Sequence, residues 1–82
     1  MVAHLLELTI ASVAKTLFKG SVKSVTLPGA EGDITLMANH EAFVTILRPG
    51  TIVVREEDGT ISEFAIEHGA LEVADNQATV LL

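Results

Sequence analysis

Three histidines are the first candidates for chemistry in this sequence of 82 residues. An imidazole nitrogen can bind zinc or transfer a proton near neutral pH, so three of them could together hold a metal ion. They are His4, His40 and His68, and no two have the i, i+2 or i, i+4 spacing that presents a pair on one element. The sequence also has no cysteine, which excludes a zinc-thiolate site. We predict no metal site and assign the histidines to partly solvated loops and strand ends.

A glycine-rich segment, Gly29-Ala30-Glu31-Gly32, resembles a phosphate-binding loop at first sight. Such loops continue into Lys-Ser or Lys-Thr and a helix, whereas this one has neither and carries a carboxylate where the phosphate would bind. We therefore predict a tight turn that needs positive φ angles. Glu31 and Asp33 could form an acid/base pair, but an exposed turn lacks the buried setting that prepares such groups for catalysis.

Other reactive patterns are weak. Glu56-Glu57-Asp58 lacks the spaced oxygen ligands of a calcium loop, and a solvated hairpin tip explains it better. There is no Gly-x-Ser-x-Gly elbow and no Ser-His-Asp set at a recognisable spacing. The residues therefore favour binding over catalysis and imply no cofactor. The three aromatic residues, which we assign to the core, are Phe18, Phe43 and Phe64.

The composition limits the partners. The chain has 11 acidic and 5 basic side chains and a formal net charge of -6, which disfavours nucleic acid and anionic lipid surfaces because both require clustered Lys and Arg. An apolar content of 49% is too high for a disordered tail, and the length allows one domain. No apolar segment approaches the roughly 18 residues that span a bilayer. We expect no direct lipid insertion and, by default, a cytoplasmic protein.

The elements that must position these residues are predicted to be strands. Turn signals recur at intervals of about 8 to 10 residues, as in all-β sandwiches and barrels. Between the turns, apolar and polar residues alternate, which is the pattern of strands with one solvated face. The alternating apolar residues are Leu6, Leu8 and Ile10, then Val25 and Leu27, Ile34 and Leu36, Leu71 and Val73, and Val80 and Leu82.

Three connections are informative. Residues 51–55 and 60–64 are predicted to form a hairpin, and Asp58-Gly59 suits a type I′ turn between them. Residues 11–17 could form a short helix, but we favour an irregular connection because a strand-like run resumes at Thr16. Residues 37–42 show no clear periodicity and are the best local candidate for a functional loop. From the residues alone, the chain is a small acidic all-β domain and an interaction module.

Several segments, taken in their order and spacing, resemble one family. They are Phe18-Lys19-Gly20, then residues 25–34 (Val-Thr-Leu-Pro-Gly-Ala-Glu-Gly-Asp-Ile), 39–42 (Asn-His-Glu-Ala), 45–50 (Thr-Ile-Leu-Arg-Pro-Gly), 69–73 (Gly-Ala-Leu-Glu-Val) and 79–81 (Thr-Val-Leu). Together they are similar to the N-terminal β-sandwich domain of the epsilon subunit of bacterial F-type ATP synthase, with its chloroplast epsilon and mitochondrial delta counterparts. The similarity covers nearly the whole chain.

The resemblance implies an all-β fold, a flattened two-sheet sandwich of about ten short strands formed by residues 1–82. It also implies a peripheral rotor subunit of the central stalk, on the cytoplasmic side of the membrane. Such a subunit joins the gamma subunit to the c-ring, so that proton-driven rotation serves ATP synthesis, and catalyses nothing alone. The alternative hypotheses are a free-standing β-sandwich that binds proteins or ligands, and a small β-barrel enzyme, for which we find no residue set.

The same resemblance assigns contact residues. Ala30, Glu31, Gly32 and Asp33 match the turn that meets the c-ring loops, and His40 and Thr45 match positions on or near the side that meets gamma. A basic residue in those loops would complement an acidic turn.

The chain also departs from the family pattern. Asn39 and Ala42 replace a usual glycine and proline, although asparagine tolerates positive φ. Glu67-His68-Gly69 replaces Ser-Gly-Gly, so the turn there is expected to differ. The sequence ends at Leu82, before the two-helix hairpin that most members carry, and we therefore expect no ATP binding.

Overall fold

The computed structural model describes residues 4–82, which form nine β-strands and no helix. The first three residues of the predicted 1–82 domain lie outside this range. The strands are β1 (Leu6–Ala11), β2 (Thr16–Val22), β3 (Ser24–Gly29), β4 (Gly32–Leu36), β5 (Phe43–Leu47), β6 (Gly50–Arg55), β7 (Ile61–Ile66), β8 (Gly69–Ala74) and β9 (Gln77–Leu81).

The strands form a sandwich of two sheets that share one continuous ladder. The first sheet has the order β2-β1-β9-β8-β5, and the second has the order β4-β3-β6-β7. They are joined where the end of β5 pairs with the end of β3, at Leu47 and Gly29. Strands β1 and β9 are parallel, and the remaining pairs are antiparallel. The predicted all-β sandwich is confirmed, with nine strands in residues 4–82 against the expected ten or so.

The core lies between the inner faces of the sheets and follows the alternation of the sequence. Leu6, Leu8 and Ile10 are buried on β1, while Glu7 between them is exposed. The second sheet contributes its own alternate residues to the same cluster. No polar side chain is buried anywhere in the described range, so burial of apolar surface is what holds the sheets together. The buried residues are Leu6, Leu8, Ile10, Val22, Val25, Leu27, Leu36, Leu47, Ile52, Val54, Ile66, Leu71, Val73, Ala78 and Val80.

The phenylalanines lie at the border of this core rather than inside it, which corrects the assignment above. All three are half-buried and pack against the buried cluster. Phe18 on β2 meets Phe64 on β7 edge to face, with ring centroids 6.2 Å apart. Because β2 and β7 are the outer strands of the two sheets, this pair packs along the open side of the sandwich.

The 56–60 turn lies where the sequence predicts a turn, but its conformation differs from the predicted type. The predicted type I′ turn at Asp58-Gly59 is wrong, because only Gly59 has a positive φ, of 94°. Strand pairing ends at Arg55 and Ile61, so the loop has five residues, and a hydrogen bond of 2.9 Å from the Glu56 N–H to the Thr60 carbonyl closes it. Inside the loop the Thr60 N–H donates to Asp58 Oδ1 at 2.8 Å. The favoured irregular connection is confirmed for residues 12–15, whereas Ala11 belongs to β1 and residues 16 and 17 belong to β2.

A two-residue turn does occur between β8 and β9. Asp75 and Asn76 have φ angles of 51° and 60°, and the flanking residues Ala74 and Gln77 are paired. Positive φ at both central positions is what a type I′ hairpin turn requires.

Candidate interaction surfaces

The turn between β3 and β4 has the tight form that its sequence predicts. Gly29 pairs with Gly32, so Ala30 and Glu31 form the tip, and residues 30–33 are all exposed. Gly32 has a φ of 137°, which favours glycine. A Cβ on Gly29 would lie 2.6 Å from Ile34 Cδ1 and 2.7 Å from the Gly32 carbonyl oxygen. Glycine is therefore required on both sides of the tip for different reasons.

Arg48 fastens this turn to the corner between β5 and β6. Its Nη2 lies 3.0 Å from Asp33 Oδ1, and its Nε donates to the Gly29 carbonyl at 2.9 Å. The backbone adds two bonds, from Arg48 N to Pro28 O and from Ala30 N to Ile46 O, each of 2.9 Å. In the sequence Arg48 is distinguished only as part of the 45–50 motif. Nothing in a single sequence shows which strand an arginine will face.

The loop at residues 37–42 is irregular, as predicted, and it is anchored through one amide side chain. Asn39 has a φ of 64°, so asparagine does keep the positive φ at the usual glycine position. Its N–H donates to Asn76 Oδ1 at 2.8 Å, and Asn76 Nδ2 donates to the Leu5 carbonyl at 2.8 Å. Asn76 therefore joins the β8–β9 turn to the loop and to the start of β1.

His40 lies on the exposed side of this loop. Its Nδ1 is 2.9 Å from the Glu41 carbonyl oxygen, and since a carbonyl only accepts, Nδ1 carries the proton in this contact. The imidazole packs against Phe43, with ring centroids 5.2 Å apart. The three histidines are all exposed, and the described residues contain no group of three side chains that could hold a metal ion.

Thr45, the other predicted gamma-contact residue, lies in the middle of β5, and its contact with gamma stays a prediction. It is half-buried and lies on the inward side of β5 with Phe43 and Leu47. It also lines a shallow groove with Glu31, Gly32 and Asp33. The structure thus brings the predicted c-ring turn beside the predicted gamma-contact strand.

The outward side of β5 presents apolar residues that the sequence analysis missed. Val44 and Ile46 are 70% and 62% exposed. Ile46 pairs with Ala70 on β8, which pairs with Leu81 on β9, itself 59% exposed. We call Val44, Ile46, Ala70 and Leu81 the apolar corner. The signal in the sequence was that β5 is apolar at successive positions, although a strand with one wet face should alternate.

Polar residues border the apolar corner on the same face. In the next row of the sheet, Val44 pairs with Glu72, and Glu72 pairs with Thr79. The row continues through Thr9 to Lys19. An exposed apolar patch with a polar border is typical of a surface that binds another protein.

The remaining candidates are surface features. The backbone and side chain of Thr60 hold the pKa of the exposed Asp58 carboxyl below its ordinary value of 3.8, because hydrogen bonds to the charged form favour it. Gly69, in the divergent Glu67-His68-Gly69 segment, begins β8, and a Cβ there would approach Leu82 Cδ2 to 3.0 Å. None of the described residues belongs to a helix that could cross a membrane.

The fold and these surfaces define a small all-β interaction domain. Residues 5–82 match the family model described as ATP synthase, Delta/Epsilon chain, beta-sandwich domain, and the chain belongs to that family. The resemblance inferred from the sequence is therefore confirmed.

Two similar sequences carry the same name, ATP synthase epsilon chain. The chain is 38% identical over 77 residues to the ATP synthase epsilon chain of a Nitratiruptor species, covering 94% of this chain and 60% of that one. It is 35% identical over 79 residues to the ATP synthase epsilon chain of Paracoccus denitrificans, covering 96% and 53%. The chain thus spans little more than half the length of these relatives.

Two solved structures share the fold. A chain in the cryo-EM structure of the Euglena gracilis mitochondrial ATP synthase (OSCP/F1/c-ring, rotational state 1) superposes with a TM-score of 0.89 at 24% identity, covering 99% of this chain and 52% of that one. A chain in the central stalk/c-ring structure of the Tetrahymena thermophila mitochondrial ATP synthase gives 0.77 at 20% identity, covering 92% and 60%.

Proposed function

We propose that this chain is the sandwich of a non-catalytic rotor subunit in a proton-translocating F-type ATP synthase, joining the gamma subunit of the central stalk to the c-ring. The observation that carries the proposal is the family match over residues 5–82, together with relatives named ATP synthase epsilon chain. The subunit would be peripheral, on the cytoplasmic side of the membrane, and would need neither cofactor nor ATP.

The apolar corner is the proposed contact with gamma. Its three large side chains are all more than half exposed, and burying apolar surface at about 25 cal/mol per Å² would stabilise the complex. Thr45 lies between Val44 and Ile46 in sequence but points inward. Its match to the family therefore marks the strand, whereas its outward neighbours provide the contact. The His40 loop borders the same strand through Phe43.

The turn at residues 30–33 is the proposed contact with the c-ring. It is exposed, held by two backbone bonds and the Arg48 side chain, and carries Glu31 and Asp33. A joint that passes torque needs a stiff contact of matching shape and charge rather than a reactive group. The described turn supplies the stiffness and the negative charge that such a contact would use.

The proposal is tested by binding of the purified chain to purified gamma subunit from the same organism, measured by calorimetry. Ile46→Asp places a charge in the apolar corner, and we expect it to weaken binding by at least about ten-fold. Ile61→Asp is the matched control, because Ile61 is 58% exposed but lies on β7 of the other sheet. Equal effects of the two variants would remove the apolar corner from the interface. Failure of the unmodified chain to bind gamma would favour a free-standing interaction domain.

A further inference from the structure

We infer that the gamma subunit covers the whole width of the first sheet rather than the apolar corner alone, and that Lys19 and Glu72, at opposite ends of one row, fix the direction in which it lies. This inference rests on the proposed function, and it names the residues that orient the partner.

The apolar corner is one end of a longer row of apolar side chains. Leu81 pairs with Ala11 on β1, and the pairing of β1 with β2 shifts register at Ala11. At this shift Leu17 is 37% exposed and alternates with the inward Phe18, so it shares the outer face. Neighbouring strands are about 4.8 Å apart, so a row that crosses five strands is about 19 Å long. The apolar row consists of Leu17, Ala11, Leu81, Ala70 and Ile46.

The outer face of the second sheet carries a polar row instead. At its centre Thr35 pairs with Thr26, Thr26 pairs with Val53, and Val53 pairs with Glu63. The two threonine hydroxyls are 3.1 Å apart and form a hydrogen bond. A sheet face in contact with water is expected to be polar. The apolar row therefore marks the outer face of the first sheet as the one that a partner covers.

The size of the face also favours a partner that spans it. An interface that persists buries about 800 Å² on each protein, and the four residues of the apolar corner are too few to supply this area. A partner that lies along the apolar row also covers the neighbouring polar row from Val44 to Lys19. The two rows together give it a contact across all five strands.

This polar row has opposite charges near its two ends. Lys19 lies on β2 and Glu72 on β8, with Thr9 and Thr79 between them. Both charged side chains are exposed, and neither forms an ion pair with another of the residues 4–82. An acidic group of gamma opposite Lys19 and a basic group opposite Glu72 would complement them, whereas a gamma subunit lying in the reverse direction would bring like charges together.

The surroundings of Lys19 leave it accessible to such an acidic group. Lys19 borders a hollow of about 260 Å³ that Thr9 and Thr79 also line. Glu7 lines the same hollow one row further from the apolar row, and its carboxylate accepts a hydrogen bond from the Ser21 hydroxyl. Lys19 is therefore the charge on this side of the sheet that lies closer to the apolar row.

The experiment measures binding of the full chain to purified gamma subunit by calorimetry. Leu17→Asp is matched with Ile61→Asp, because both residues are apolar and exposed and lie on the outer strands of different sheets. We expect Leu17→Asp to weaken binding at least about ten-fold and Ile61→Asp to stay within about two-fold. Leu17→Thr keeps a residue that suits a strand and should still weaken binding about three-fold. Urea unfolding of each variant shows that it is folded.

Charge reversal tests the direction. Lys19→Glu and Glu72→Lys should each weaken binding about five-fold at low ionic strength and less at high ionic strength. Lys23→Glu makes the same change of charge at an exposed position between β2 and β3, outside both rows, and should stay within about two-fold. Tighter binding of the double variant Lys19→Glu/Glu72→Lys would overturn the direction.

The outcomes separate this inference from the proposed function. If Ile46→Asp weakens binding while Leu17→Asp and Leu17→Thr do not, gamma covers the apolar corner alone, and the inference is wrong although the proposed function stands. If the unmodified chain does not bind gamma, the proposed function fails and the inference fails with it.

Discussion

Replacing Asn76 with glycine should loosen the His40 loop without destroying the β8–β9 turn. Glycine adopts the observed φ of 60° at no steric cost. The change removes the amide that accepts from Asn39 N and donates to the Leu5 carbonyl, both at 2.8 Å. The turn therefore remains possible, while its side-chain bonds to the loop and to Leu5 are lost. The backbone bond from Glu7 N–H to the carbonyl of residue 76, of 3.2 Å, remains.

The expected size follows from these two bonds. A typical intramolecular hydrogen bond stabilises by about 0.5 to 1.5 kcal/mol net. Asn39 is exposed, so water can replace Asn76 Oδ1 as the acceptor of its N–H. The free energy of this bond is therefore at the low end of that range. The bond to the Leu5 carbonyl is partly buried, so its free energy is higher in the range. We expect a loss of about 1 to 2 kcal/mol from the side chain alone, or a fall in Tm of roughly 4 to 16 °C for a domain of this size.

Asp75→Gly is the matched control. Asp75 has a φ of 51° in the same turn, so the backbone change is equivalent, but it takes part in neither bond. Urea unfolding of both variants gives the two losses, and their difference isolates the Asn76 side chain. Hydrogen exchange at the Asn39 amide should accelerate only in Asn76→Gly. A difference under about 0.3 kcal/mol with unchanged Asn39 exchange would refute the anchoring role, since the error of such comparisons is a few tenths.

Three further outcomes can be measured. Gly29→Ala should lower the free energy of unfolding by about 1 to 3 kcal/mol, because the new Cβ would lie 2.7 Å from a backbone oxygen. Gly20→Ala is the control, because a Cβ there would have no neighbour closer than 3.8 Å. This control should change the free energy of unfolding by under about 0.5 kcal/mol in the same urea titration. Ile52→Ala should cost about 2 to 5 kcal/mol because Ile52 is fully buried, and a loss under about 1 kcal/mol would contradict the assigned core. The carboxyl of Asp58 should titrate by NMR with a midpoint below 3.8. Since the folded state lowers this pKa, the Asp58 carboxylate stabilises the chain relative to Asp58→Asn above pH 3.8, and this stabilisation is lost as the pH falls through the pKa of the folded state. A midpoint at or above 3.8 would contradict the hydrogen bond to Thr60.

The strands were predictable because their determinants are local. Leu6, Leu8 and Ile10 alternate with polar residues, and all three are buried in the structure. A period of two residues is the geometry of a strand itself, so it can be seen without knowing any partner. Asn39 was likewise predictable, because the preference for positive φ belongs to the residue.

The type of each hairpin turn was not predictable from the turn residues. Asp58-Gly59 and Asp75-Asn76 both suit a type I′ turn, yet only the second pair adopts the two positive φ angles. The difference is set by where pairing stops, at Arg55 and Ile61 in one hairpin and at Ala74 and Gln77 in the other. That register depends on how the strands pack into the sandwich.

By itself the sequence determined the all-β class, most strand positions, the tight turn at residues 29–32 and the family to which the chain belongs. Tertiary structure alone decided that Arg48 faces Asp33, that Asn76 anchors a loop 37 residues away, and that Val44 and Ile46 join Leu81 in one exposed apolar corner. The physical reason is that the local sequence sets which side chains of a strand share a face. The neighbours of a side chain across the sheet are set by strand order and register, and these are established only when the two sheets close on a common core.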